Sequence, residues 1–175
     1  MGKVSLFIAT SLDGFIAAPD GTIDWLFTDG DYGYSAFIAG VDILLMGYKT
    51  YATLLGFGGE FPYPHTQNYV FSKNHRHTDS NPVIFTAEDP GEVTRRLKNE
   101  AGGTIWLVGG GQINGALLAA DLIDEIVVSV HPIALGAGLP LFAGANYSCR
   151  RYRPVSAENF PSGLVQITYL RGSRE

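Results

Sequence analysis

Two runs in this chain join an apolar strand to glycine and then to a helical pattern, an arrangement that brings bare backbone close to a ligand. The first is Thr104-Ile-Trp-Leu-Val-Gly-Gly-Gly-Gln-Ile-Asn-Gly115, where strand character through Val108 runs into Gly109, Gly110 and Gly111. Ile113, Leu117, Leu118 and Leu122 then recur at helical spacing. Helix N-termini carry unpaired N–H groups and a partial positive charge, so a phosphate can sit there. A tight turn without any ligand is the competing reading, and three glycines alone do not separate the two. The spacing matches neither Gly-x-Gly-x-x-Gly nor a P-loop ending in Gly-Lys-Ser/Thr. The second run is Asp42-Ile-Leu-Leu-Met46 followed by Gly47-Tyr-Lys-Thr50. Two such junctions side by side suit a pyrophosphate better than one.

Other candidates are weaker. Ser72-Lys-Asn-His-Arg-His77 is the most basic cluster, read either as an anion contact or as a solvated loop. Trp25 lies in a polar loop, Ala18-Pro-Asp-Gly-Thr-Ile-Asp-Trp25, as a plug on the core or as a wall of a ligand site. His131 precedes Pro132 and reads as a strand-end core residue before it reads as a ligand. His65, in an aromatic loop, is a candidate contact for a substrate phosphate that nothing demands. No nucleophile-turn motif with Ser, His and Asp is present, so hydrolase chemistry is unsupported.

Composition narrows the class. A chain of 175 residues with 46% hydrophobic and 17% charged residues suits one ordered domain, expected over 1–175. The net charge of −5 gives no overall field for nucleic acid or an anionic membrane, and no apolar run approaches a membrane span. Cys149 stands alone and no zinc-ligand spacing exists, which excludes an internal disulfide and fits a reducing, cytoplasmic setting.

The elements that must position these residues alternate. Strands are expected at Lys3–Thr10, Asp42–Met46, Asn68–Phe71, Pro82–Thr86, Thr104–Val108 and Asp124–His131. Helices are expected at Asp31–Ala39, from Gly47 to about Leu55, at Pro90–Ala101 and after the glycine triplet. Cys149–Ala157 and Leu164–Arg171 read as a closing antiparallel pair. The sum is an α/β protein: a mostly parallel mixed sheet with helices on both faces and an antiparallel edge.

Four segments, in order, carry a family resemblance: Ala9-Thr-Ser-Leu-Asp-Gly-Phe-Ile-Ala17, Met46-Gly-Tyr-Lys-Thr-Tyr51, Val108-Gly-Gly-Gly-Gln-Ile113 and Pro132-Ile-Ala-Leu-Gly-Ala-Gly-Leu-Pro-Leu-Phe142. The chain resembles the dihydrofolate reductase-like superfamily. Within it, the chain looks closest to the reductase domain of the bifunctional riboflavin-biosynthesis deaminase–reductase and its stand-alone relatives. The resemblance implies a three-layer α/β/α fold, NADPH (NADP) as cofactor, a small-molecule substrate and a homodimer. The closing strands, aromatic and apolar for an edge, agree with the last point. By the same resemblance Gly109, Gly110, Gly111, Gln112 and Ile113 meet the cofactor pyrophosphate, with Gly47, Tyr48, Lys49 and Thr50 as the second phosphate-holding helix start. Ala9 and Ile16 match backbone positions that hold the nicotinamide carboxamide, and Ser72 and Lys73 the strand end at the adenosine 2′-phosphate. Asp31 matches the substrate-binding carboxylate and Ser129 its hydroxyl partner. A carboxylate there pairs with an N–C–N edge and assists protonation of a C=N bond.

Several positions depart from the family. Tyr48 stands where Arg is usual, leaving Lys49, Lys73 and Arg76 to supply charge for a 2′-phosphate. Thr66 and Gln67 occupy the ground of the Arg that clamps a folate glutamate, which disfavours ordinary folate reduction. Asn114 replaces the Tyr beside the nicotinamide. Asp29 and Asp31 flank Gly30 ahead of a helix, so either carboxylate can instead be a cap, and Asp29 is the alternative acid. The expected activity is hydride transfer to a C=N or C=O bond of a pyrimidine-like, pterin-like or ribosylamino substrate. A divergent folate reductase and a non-catalytic nucleotide-binding protein are the alternatives.

Overall fold

A computed structural model describes residues 1–58, 61–73, 82–146 and 149–172. Eight strands form one sheet and two short strands a second. In chain order the elements are β1 (Lys3–Thr10), β2 (Phe15–Ala17), α1 (Tyr34–Ile38), β3 (Val41–Gly47), α2 (Tyr48–Gly56), β4 (Gln67–Phe71) and β5 (Val83–Thr86). There follow α3 (Pro90–Glu100), β6 (Thr104–Gly109), α4 (Gly111–Ala119), β7 (Glu125–Val130), β8 (Leu139–Pro140), β9 (Tyr152–Asn159) and β10 (Val165–Arg171). The sheet order is β5-β4-β3-β6-β1-β7-β10-β9, parallel through β7 and antiparallel across β7–β10–β9. The fold is the dihydrofolate reductase-like α/β architecture that the motifs imply.

Period-two alternation divides the core between the two faces of the sheet. Val4, Leu6, Ile43, Leu45, Ile105 and Leu107 pack on one side with Val93 and Leu97 of α3 and Leu117 of α4. Leu44, Met46, Val70 and Trp106 pack on the other with Tyr34, Phe37 and Ile38 of α1 and Tyr51 and Leu54 of α2. The central strands are therefore apolar on both faces, which is why they read as unbroken hydrophobic runs. Helix α3 starts where its sequence dictates: Asp89 accepts from Glu92 N at 3.0 Å and Pro90 sits in the first turn.

One helix differs from expectation. The span Asp31–Ala39 is helical only over Tyr34–Ile38. Tyr32 (φ 49°) and Gly33 (φ 78°) take left-handed backbone, which no α-helix continues through. Asp31 is thereby set outside the helix. Helix-period packing of Tyr34, Phe37 and Ile38 holds as expected.

Strands β6 and β1 are neighbours whose onward connections leave in opposite directions, to β7 and to β3. Open sheets of this kind place ligands beyond the carboxyl ends of such strands.

Candidate functional site

The two glycine junctions meet at that edge. Met46 of β3 pairs with Gly109 of β6, so Gly47 and Gly109 end adjacent strands. A Cβ on Gly47 would come 3.4 Å from Ile113 Cγ1, and one on Gly110 would come 3.2 Å from Thr50 Oγ1. Gly110 has φ 70° and ψ 138°, a region reserved almost wholly for glycine. Helices α2 and α4 thus begin side by side, with Thr50 of one against the turn that opens the other. Gly111 is different: a Cβ there would collide with the Pro140 carbonyl oxygen, and its own carbonyl accepts from Ala143 N at 2.9 Å. Its bareness serves packing of the segment after β8. Lys49, Tyr48 and Gln112 are exposed, and Ile113 and Thr50 half-buried.

Ala9 lies near the carboxyl end of β1 and lines a cavity there, and Ile16 lies in β2. The β1–β2 loop is docked on the His131–Leu141 segment: Leu12 N donates to Ile133 O (2.8 Å) and Leu141 N to Gly14 O (3.1 Å). Asp13 completes the clasp by accepting from Ser11 Oγ (2.6 Å), Gly136 N (2.7 Å) and Leu135 N (3.2 Å). Ser72 follows β4, its N–H donating to Thr86 O (2.9 Å), and Lys73 beyond it is exposed. Asn74 to His77, including Arg76, lie outside the described residues.

A cavity of about 270 Å³ opens at the same edge of the sheet, lined by residues of β1, β7 and the loop ahead of α1. Phe7, Phe27 and Tyr34 give it flat apolar walls, and Asp31, Ser129 and His131 its polar ones. Asp31 and Ser129, 98 residues apart in the chain (129 − 31), line one space. Asp31 is exposed and accepts from Ser35 Oγ (2.6 Å) and from Ser35 N (3.1 and 3.2 Å to its two oxygens). It therefore both holds Ser35 in the first turn of α1, whose N-cap is Gly33, and forms a wall of the cavity. Asp29 does not line the cavity and instead accepts from the Tyr32 hydroxyl, which shares a 2.9 Å hydrogen bond with Ser162 Oγ.

His131 is buried and lines the cavity, two residues beyond Ser129 and just past the end of β7. Burial pushes its imidazole below the usual value, so it stays neutral near pH 7. The period-two relation to Ser129 was available in the sequence as a signal for it. Trp25 is not a wall of the cavity: it packs edge-on against His131, with ring centroids 5.3 Å apart, one layer behind. Gln166 of β10, absent from any sequence motif, donates through Nε2 to Tyr32 O and Ser129 Oγ, both at 2.9 Å. Its placement follows from the antiparallel register Gln166↔Ser129, which a single sequence does not fix. His65, Thr66 and Gln67 lie at the opposite edge of the sheet, around a second cavity with Asp42 and Glu100. Among the described residues, no group of three or more His, Cys, Asp or Glu could hold a metal ion. No helix among them is long and apolar enough to cross a membrane.

Fold and cleft together define a dihydrofolate reductase-like protein. The chain belongs to the RibD C-terminal domain family, whose pattern it matches over residues 2–166. It is 41% identical over 143 residues to the uncharacterized protein YwjB of Bacillus subtilis, covering 80% of this chain and 82% of that protein. Among solved structures it is similar to a protein from Shewanella sp. PV-4 named for riboflavin biosynthesis, with TM-score 0.86, 30% identity and coverage of 98% and 99%. The dihydrofolate reductase of Enterococcus faecalis, solved with NADP(H), shares the fold at TM-score 0.70 and 16% identity, each chain covered to 98%.

Proposed function

We propose that the protein is an NADPH-dependent reductase that transfers hydride to a C=N or C=O bond of a small pyrimidine-like, pterin-like or ribosylamino substrate. The observation that carries this reading is the convergence of two glycine-opened helices beside a cavity lined by a carboxylate and a hydroxyl. Gly110 leaves room at the mouth of α4 and Thr50 offers a hydroxyl there, which fits a pyrophosphate held on backbone N–H groups. Lys49 and Lys73 are exposed cations suited to a 2′-phosphate. Bound NADPH supplies the hydride, a chemistry no side chain offers.

The chain's own groups orient and protonate. Phe7, Phe27 and Tyr34 hold a flat ring, Asp31 accepts from its N–H edge, and Ser129 adds a second polar contact. Asp31, exposed to water, is the group that relays a proton to the substrate nitrogen. The inward setting of Asp31 and Ser129 favours this reading over a nucleotide-binding protein without turnover. Thr66 and Gln67, which stand in the sequence where the resemblance places the clamping Arg of folate reductases, offer no guanidinium to a folate tail, which disfavours dihydrofolate as substrate. The homodimer implied by the family would form through β9, the outermost strand on its side of the sheet.

Titration of nicotinamide fluorescence tests the cofactor: saturable binding of NADPH at micromolar concentration is expected. Absence of binding at millimolar NADPH removes the proposal.

A further inference from the structure

His131 is a buried titratable group on the cavity wall to which hydride transfer assigns no task. It is 3% exposed, and its Nδ1 lies 3.3 Å from the Ser129 carbonyl oxygen. A carbonyl oxygen can only accept, so Nδ1 carries the ring proton in that contact. Burial, the largest influence, pushes the imidazole below its usual pKa, while the Ser129 and Thr10 carbonyls and the Asp29 charge pull less strongly the other way. A neutral imidazole has a single N–H to give, which leaves Nε2 as a bare lone pair. Among the described residues Nε2 meets no hydrogen-bond partner, and it is not one of the enclosed polar atoms, so it opens on the cavity that the ring lines. Trp25 does not fill it: the indole packs edge-on with ring centroids 5.3 Å apart, yet its own Nε1 is enclosed without an acceptor. The Tyr34 hydroxyl is turned to Tyr63, and that of Tyr32 to Asp29 and Ser162. Asp31, the one charged group on the described cavity wall, has no proton to offer while ionised.

We propose that His131 is a ligand-binding residue whose Nε2 accepts from a hydroxyl or N–H carried to the buried wall of the cavity, so that the site prefers such ligands to their O- or N-alkylated counterparts. This inference deepens the reductase reading and rests on it for the cavity being the substrate site. It gives the preference a pH dependence of definite sign. Above its pKa His131 accepts, and the preference is whole. As pH falls through that value Nε2 gains a proton and becomes a donor, which meets a hydroxyl and an ether oxygen alike because both accept. Linkage requires the converse: a ligand that donates to Nε2 holds the ring neutral and lowers its pKa, whereas an alkylated ligand does not.

Phenol and anisole are the matched probes, alike in their flat ring and different in one donor. Long-range proton–nitrogen NMR of the full chain reads the tautomer and the titration of His131 directly, and Nδ1 protonated with Nε2 bare is expected near pH 7. Phenol should bind about tenfold more tightly than anisole above the His131 pKa, the worth of one hydrogen bond, and no more tightly below it. At saturation phenol should lower the midpoint of the His131 titration by about one pH unit, and anisole should leave it in place. His131→Leu should abolish the preference and Asp31→Asn should preserve it. An Nε2–H tautomer, equal affinities above the pKa, binding of neither probe, or a preference lost in Asp31→Asn overturns the proposal. If His131→Leu does not fold, the wild-type titrations decide alone. They need no NADPH, so a failed nicotinamide titration would sink the cofactor reading and leave this one standing.

Discussion

Asp124 and Asp31 lie at opposite edges of one sheet and are held in opposite ways. Asp124, just before β7, accepts from Val4 N at 2.9 Å, pairs with the buried Lys98 of α3, and meets Arg171 Nη2 at 3.0 Å. Beside it Glu125 accepts from Ser5 Oγ (2.8 Å) and Lys3 Nζ (2.9 Å). Asp124 and Glu125 are satisfied by cations, backbone and a hydroxyl, and they tie β1, β7 and β10 to the end of α3. Among the described residues, Asp31 at the carboxyl edge meets no cation and receives hydrogen bonds only from Ser35. Its neighbours are positioned by neutral hydrogen bonds, through Gln166, that leave capacity unused. A charge-saturated edge gives rigidity but nothing to offer a ligand. Neutral positioning around one open carboxylate gives both.

The largest effect that separates the two edges is expected from Asp124→Ala. It strips the buried Lys98 of its carboxylate and Val4 N of its acceptor, a loss of about 3 kcal/mol because an uncompensated buried charge remains. Urea denaturation measures it, and NADPH affinity of the folded protein should not change. A stability loss within the ordinary surface range of about 0.5 kcal/mol would mean that the amino edge is not a structural clamp.

Gly110→Ala sharpens the contrast from the other side. Alanine is strained at φ 70°, ψ 138°, and its methyl would come 3.2 Å from Thr50 Oγ1, so folding loses about 2 kcal/mol. NADPH affinity should fall by more than the tenfold that about 1.4 kcal/mol represents, since the methyl occupies the phosphate ground. Isothermal calorimetry on the folded variant separates the two losses. Unchanged affinity would reduce the turn to a structural one.

How much of this was legible in the sequence follows from which interactions are local. Most strand positions, Pro90 at the start of α3 and both glycine junctions are written in short-range patterns and stand close to where the residues place them, whereas β9 runs over Tyr152–Asn159 in place of the expected Cys149–Ala157. Asp31 and Ser129 came from family spacing, and they line one cavity. The early helix start at Asp31 failed because left-handed Tyr32 carries no signal in a non-glycine residue. Gln166 was illegible because its meaning depends on cross-strand register with Ser129. Trp25 was assigned alternatives that only packing on His131 separates.

The smallest effect concerns Asp13, the carboxylate at the carboxyl edge that is satisfied without a cation. The Ser11 hydroxyl first, and Gly136 N next, hold its pKa down to about 2. That lies below the unfolded value of about 3.9, so folding favours the ionised form. The contribution is therefore whole above about pH 4 and is lost as pH falls towards 2. It is small, because the group is exposed and water screens it. Asp13→Asn keeps an acceptor but not the charge, so the difference in Tm between wild type and variant should stay constant from pH 7 to pH 5. Below pH 4 the difference should shrink, as the wild-type carboxyl gains its own proton. A gap that persists undiminished at pH 3 would show that the clasp depends on shape and not on charge. In that case the comparison with Asp124 would hold only for carboxylates that meet cations, and the β1–β2 loop would be fixed by backbone contacts such as Leu12 N to Ile133 O.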